Sequence, residues 1–211
     1  SLELEKYGRN YEVIVVDDGS TDRTMNRALE IAQRDGRVQV LSYRLNRGKG
    51  YALRHGFRAS KGGVIVFLDA DMDISPASVF TLLNLLETGQ YDCVVGSKTH
   101  NDSEIVYPRV RRMFSRSARA IVRLLLRLPV HDTQVGLKLF RRRALASIVD
   151  SARIDGFAFD IELLALAQRA GLRIAEGPVH IQYSDSPSHV SLGTSLRALS
   201  DTMTVFYRLR L

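Results

Sequence analysis

Tryptophan is absent from this chain, and Cys93 is its one cysteine. A single thiol closes no intrachain disulfide, which excludes a disulfide-stapled secreted scaffold and fits a reducing compartment. Cys93 follows Tyr91-Asp92 in a strand-like run and reads as an inert core thiol. No uninterrupted apolar stretch approaches the ~20 residues of a membrane-spanning helix, and no signal peptide is visible at the start. Any membrane contact is therefore expected at the surface. Neither phosphate-loop fingerprint occurs, G-x-x-x-x-G-K-[ST] or G-x-G-x-x-G after a strand, which argues against a dinucleotide-binding dehydrogenase. His55, His100, His131, His180 and His189 show no metal-ligand spacing, and no serine is arranged as a recognisable nucleophile. Acids are the scarcer sign: 30 Lys+Arg against 23 Asp+Glu give a formal net charge of +7. That excess points to phosphate-bearing partners. No nucleic-acid motif accompanies it, so nucleic acid is not expected among them.

What is present is a soluble-protein composition, 45% hydrophobic and 25% charged over 211 residues, enough for one substantial core and one domain. Strand and helix signals alternate. Glu12–Asp17, Val38–Tyr43, Val64–Leu68 and Tyr91–Ser97 are apolar, β-branched runs that read as strands. Between them lie a helix capped near Ser20, Thr21 or Asp22 and stopped by Gly36, one opened by Asn46-Arg47-Gly48-Lys49-Gly50, and one from Ser75-Pro76 to Gly89. Crossover helices of this length predict an α/β fold, a mostly parallel sheet with helices on both faces. Further on, Gly136–Phe140 reads as a strand, Arg142–Val149 and Phe159–Ala170 as helices, Arg173–Tyr183 as strand-like, and Leu192 onward as an amphipathic helix.

Ligands of such sheets bind outside the carboxyl ends of the strands. Asp17-Asp18, Asp69 to Asp73 and Gly96-Ser97-Lys98 all fall there. Asp69, Asp71 and Asp73 stand at alternate positions after a buried strand, and on an extended chain they would share one face. Crowded carboxylates repel, and a hard divalent cation relieves them while binding a substrate's phosphates. The competing explanation is a solvated acidic loop. Asp17-Asp18 could accept from a nucleotide base or ribose; capping accounts for Ser20 to Asp22 but not for two acids ahead of Gly19.

A basic element is predicted over Arg111–Leu128. Arg112, Arg116, Arg119, Arg123 and Arg127 recur every three or four residues and form one stripe on a helix at ~100° per residue, with apolar residues on the remainder. A helix of this kind can lie in a bilayer interface with its arginines toward anionic headgroups.

Taken in order, Val15-Val16-Asp17-Asp18-Gly19-Ser20-Thr21-Asp22, Asn46-Arg47-Gly48-Lys49-Gly50, Leu68-Asp69-Ala70-Asp71, Val95-Gly96-Ser97-Lys98, Asp132 to Phe140 and Gly156 to Leu163 resemble family 2 glycosyltransferases of the GT-A fold. Within that family they are similar to the dolichyl- and polyprenyl-phosphate glucosyl- and mannosyltransferases, the later blocks more to the glucosyltransferases. The resemblance spans roughly residues 12 to 207. It implies an α/β, Rossmann-like three-layer sandwich over residues 1–211, one catalytic domain. Family members carry an earlier strand with a Pro-x-x-Asn-Glu type segment, whereas this sequence opens at Ser1-Leu2, so an N-terminally truncated domain is expected.

The resemblance further implies a metal-dependent, inverting transfer of glucose or mannose from UDP-glucose or GDP-mannose to a lipid phosphate, at the cytoplasmic face of a membrane. Asp17 or Asp18, Lys49 and Asp69 would hold the donor. Asp69, Asp71 and Asp73 would hold Mg2+ or Mn2+, and Lys98, Arg111, Arg112 and Arg116 the acceptor phosphate. Asp160 occupies the place of the family's acceptor-side acid, with Glu162 nearby; both also suit the first turn of a helix. The alternatives are transfer to a polysaccharide hydroxyl and a non-catalytic membrane-surface module that retains the fold.

Overall fold

The computed structural model describes residues 2–5, 8–71, 73–98, 128–181 and 192–209. After a short helix, Leu2–Glu5 (α1), the chain runs β1 (Val13–Asp17), α2 (Thr24–Arg34), β2 (Val38–Ser42), α3 (Lys49–Ala59), β3 (Val64–Leu68), α4 (Ser78–Thr88) and β4 (Cys93–Ser97). It continues with β5 (Leu137–Arg141), α5 (Arg142–Ile148), α6 (Phe159–Arg169), β6 (Ile174–Pro178) and α7 (Leu192–Leu209). The predicted 111–128 helix, with Arg111, Arg112 and Arg116, lies outside the described residues except for Leu128.

β1 and β2 pair in parallel, Val13 opposite Val38 and Asp17 opposite Ser42. The other four strands form one sheet in the order β3-β5-β4-β6. Strands β4 and β6 are parallel, whereas β5 is antiparallel to both β3 and β4. The reversal matters for the site. Because Leu137 pairs with Leu68, β5 begins at the edge where β3 ends, and the segment leading into β5 arrives among the carboxyl ends of its neighbours. Pro178 closes β6, since it has no N–H to extend the ladder; the chain then touches back through His180, bonded to Ser75 and Ser78, and a bridge between Ile181 and Ile74.

Helices cover both faces of this sheet. α4 places Val79, Leu82 and Leu86 against Val94, Leu137 and Leu139 on one side. On the other, α5 and α6 pack Leu145, Ile148, Phe159 and Leu163 against Ile65, Phe67, Cys93 and Phe140. α6 is buried continuously from Phe159 to Ala167. A helix enclosed all round over these residues has no solvent face for its acids, so Asp160 and Glu162 must find partners inside.

Candidate active site

Two acid-bearing strand ends, those of β1 and β3, and one reversed strand start define the site. Asp17 ends β1 and is buried, and its Oδ1 has no hydrogen-bond partner among the described residues. A buried acceptor of this kind at a ligand edge is costly until a donor reaches it. Asp18 is used differently. Its Oδ1 accepts from Arg47 N (2.7 Å) and its Oδ2 from Gly48 N (2.9 Å), while Asn46 Nδ2 donates to its carbonyl (3.1 Å). Asp18 thus clamps the glycine turn that opens α3. Gly48 is held at φ +96, and a Cβ there would lie 2.4 Å from the Asp155 carbonyl oxygen, so only glycine fits.

Gly50 N donates to Asp155 O at 2.6 Å, which docks this turn on the loop before α6. Arg54 fastens the same loop from α3: it pairs with Asp155, donates to Ile154 O (3.1 Å) and lies over the Phe159 ring. Glu162 holds it from α6, accepting from Arg153 N (2.9 Å) and Ile154 N (2.7 Å) and pairing with Arg208. Glu162 is therefore a loop anchor, and both of its oxygens are engaged.

These contacts aim Lys49 into the site. Its Nζ sits 2.9 Å from Asp69 Oδ1 and 2.9 Å from Asp160 Oδ2. Asp160 Oδ1 is paired in turn with Lys138 Nζ at 2.9 Å, and that ammonium also donates to Val135 O at 2.5 Å. Burial alone would push the Asp160 carboxyl up, but Lys138 and Lys49 outweigh it and hold it below the ordinary carboxylate range. Burial would likewise push Lys49 down, yet Asp160 and Asp69 drive it well above the usual lysine range. Both groups remain charged at neutral pH. Lys138 is the residue that the sequence reading missed. It sits in the apolar run Leu137–Phe140, and a lysine flanked there by core residues had to have a buried partner.

The acids after β3 do not form the extended ladder expected from their spacing. Regular strand ends at Leu68 and a turn follows, in which Asp71 Oδ1 accepts from Asp73 N at 3.1 Å. Asp69 is aimed separately, because its N–H donates to Gly136 O at 2.9 Å. A Cβ on Gly136 would meet Asp69 Oδ2 at 2.5 Å, so the missing side chain is the cradle in which this carboxylate lies. Among the described residues no three His, Cys, Asp or Glu come together. A hard cation that binds one or two carboxylates plus substrate phosphates does not require a preformed cage. Asp69 in its cradle and exposed Asp71 fit that mode. Gly136→Ala is expected to weaken Mn2+ binding at least about tenfold by displacing Asp69 while the melting temperature falls only slightly, a split that titration and thermal unfolding would show. Lys98 follows β4, its N–H 3.4 Å from Asp132 Oδ2, at the same edge.

The sequence model of Glycosyl transferase family 2 matches residues 2–149. The dolichyl-phosphate beta-glucosyltransferase of Mus musculus is 36% identical over 213 residues, covering 95% of this chain and 64% of its own. That of Saccharomyces cerevisiae is 31% identical, covering 95% and 66%. Glycosyltransferase AglD of Haloferax volcanii is 36% identical over 80% of this chain and 27% of its own. The chain thus spans two thirds or less of the length of these curated relatives. Among solved structures, glucosyl-3-phosphoglycerate synthase from Mycobacterium tuberculosis, in complex with Mn2+, uridine diphosphate and glucosyl-3-phosphoglycerate, superposes with a TM-score of 0.70. It is 25% identical and covers 92% of this chain and 68% of its own. The α/β architecture with helices on both faces is that of the GT-A glycosyltransferases.

Proposed function

The chain belongs to glycosyl transferase family 2, and from that premise we propose that it moves a hexose, glucose in preference to mannose, from a nucleoside diphosphate to a dolichyl or polyprenyl phosphate. The observation that carries this reading is the contact of Lys49 with Asp69 and Asp160 where β3 ends, with Asp71 two residues beyond, in a chain about a third identical to dolichyl-phosphate glucosyltransferases. The partly orphaned Asp17 carboxylate accepts from the donor's base or ribose. Asp69 and Asp71 hold Mg2+ or Mn2+, which as a Lewis acid stabilises charge on the diphosphate leaving group. Asp73 orders the Asp71 turn and stands beside that pair.

A lipid phosphate has a second pKa near ~6 and is largely ionised at neutral pH, so its oxygen needs little help from a base. The harder task is to bring two anions together, and cations do it by position. Lys98, Arg111, Arg112 and Arg116 take the acceptor phosphate, and the basic 111–128 segment lays the protein on the cytoplasmic face of the membrane. No helix among the described residues is long and apolar enough to cross a bilayer. Transfer to a polysaccharide hydroxyl would require Asp160 as a general base. Pairing of both its oxygens with ammonium groups weighs against that role and favours the phosphate acceptor.

Calorimetry with UDP-glucose and GDP-mannose, with and without Mn2+, tests the donor half. Metal-dependent binding of UDP-glucose is expected, followed by transfer of labelled glucose to dolichyl phosphate in vesicles. Absence of metal-dependent binding of either donor would sink the enzymatic reading and leave the membrane-surface module.

A further inference from the structure

Four charged side chains alternate in sign from the interior to the mouth of the site. Side-chain exposure rises along them from 1% at Lys138 to 4% at Asp160, 17% at Lys49 and 36% at Asp69. Each link is an ion pair of 2.9 Å. At the outer end Lys49 Nζ spans the Asp69 carboxylate, 2.9 Å from one oxygen and 3.0 Å from the other. An ammonium in that position covers the oxygens that a divalent cation would use. At the inner end the oxygens of Asp160 are divided, Oδ1 to Lys138 and Oδ2 to Lys49.

Building on the nucleotide–metal reading above, we infer that Lys49 is the resident counter-ion of Asp69, and that it passes wholly to Asp160, fixed by Lys138, when a divalent cation occupies Asp69. The division of Asp160 makes the transfer possible. Lys49 leaves Asp69 without becoming an unpaired buried charge, because one Asp160 oxygen is already its own and Lys138 keeps the carboxylate from turning away. The chain of four is neutral as it stands. A bare cation would bring two positive charges next to Lys49, of which Asp71 offsets one, whereas a diphosphate arriving with it supplies the balance. Metal and nucleotide are therefore bound together, and metal alone is bound weakly. Lys138 is a positioning residue in this device, acting through Asp160.

Mn2+ affinity in the absence of nucleotide, followed by electron paramagnetic resonance, separates the possibilities through two variants of opposite sign. Lys49→Met removes the competitor and is expected to tighten bare Mn2+ by about tenfold, within the usual range of coupling between sites. Asp160→Asn takes away the alternative partner, leaves Lys49 on Asp69, and is expected to weaken bare Mn2+ by a similar factor. General damage to the site would weaken both, so tightening in Lys49→Met is the signature. If Lys49→Met fails to fold, Lys49→Gln, which also removes the charge, takes its place with the same expected tightening and the same overturning result. Unchanged or weaker binding in a folded Lys49→Met, or unchanged binding in Asp160→Asn, overturns the inference. Mn2+-dependent uridine diphosphate binding by the unsubstituted chain is the control. Its absence overturns the nucleotide–metal reading as well, whereas its presence with unshifted variants overturns the counter-ion role alone.

Discussion

Replacing Asp71 by asparagine is expected to lower transfer by about three orders of magnitude while leaving the fold intact. The substitution is unusually clean. Asp71 uses Oδ1 to accept from Asp73 N, and an asparagine offers the same acceptor, so the turn keeps its shape and only the charge is lost. Lewis-acid stabilisation of a leaving group is worth several kcal/mol, and about 4 kcal/mol corresponds to a roughly thousandfold change in rate. Asp71 is exposed, so its stability contribution is small. The measurement is a transfer assay over a range of Mn2+ concentrations, with thermal unfolding alongside. Excess Mn2+ should recover part of the loss, because the second carboxylate, Asp69, remains. Activity within tenfold of the unsubstituted chain would remove Asp71 from the metal-holding pair. Asp73→Asn is expected to cost no more than about tenfold, since here the Asp73 backbone N–H rather than its side chain makes the turn contact.

Much of the frame could be read from the residues alone. Val64–Leu68 is a strand over the expected span, and Val13–Asp17, Val38–Ser42 and Cys93–Ser97 differ from expectation only at their ends. Runs of β-branched residues bounded by glycine and polar turns leave little choice. The helices Arg142–Ile148 and Phe159–Arg169 likewise fall where expected, because their apolar periodicity and the Gly171 stop are local signals. The direction of Leu137–Arg141 could not be read in this way. Nothing in Leu-Lys-Leu-Phe-Arg distinguishes a parallel from an antiparallel neighbour; the path of the preceding connection decides it.

The site divides along the same line. Asp17 and Asp69 were singled out as acids at strand ends, and Lys49 and Asp160 by the family resemblance; the structure brings Lys49, Asp69 and Asp160 into direct contact. The extended-ladder picture of Asp69 to Asp73 failed because alternation counts only on extended backbone: Asp69 N–H still bonds Gly136 O beside β5, but the turn in which Asp71 accepts from Asp73 N follows at once. The role of Asp18 was equally hidden. Its two oxygens bind N–H groups almost thirty residues on, a long-range contact that no local spacing reports. Lys138 was passed over because one lysine in a strand usually snorkels to solvent. Its strand lies between β3 and β4 under α6, which leaves it no solvent to reach.

Lys138→Met follows from that enclosure and carries the largest stability effect expected in this chain. Breaking a buried ion pair by removing one partner costs about 3–5 kcal/mol, because the survivor is left charged in a poorly polarisable interior. Asp160 retains Lys49, so about 3 kcal/mol is the better expectation, and for a chain of this size that lowers the melting temperature by about 6–12 °C. Two features separate this from a simple packing defect. First, the cost should shrink as pH is lowered: with Lys138 gone, desolvation dominates at Asp160 and its carboxyl rises, so in acid the group takes a proton and is no longer a lone buried charge. A cavity or an overpacked methionine would cost the same at every pH. Second, Lys138→Met combined with Asp160→Leu should recover more than half of the loss, because apolar groups in place of both partners leave no unpaired buried charge, Lys49 keeping Asp69, whereas independent defects would add. Chemical denaturation of the single and double variants between neutral and mildly acidic pH decides both points. A pH-independent, additive pair would mean that Lys138 serves the fold by its volume alone and exerts no electrostatic hold on Asp160.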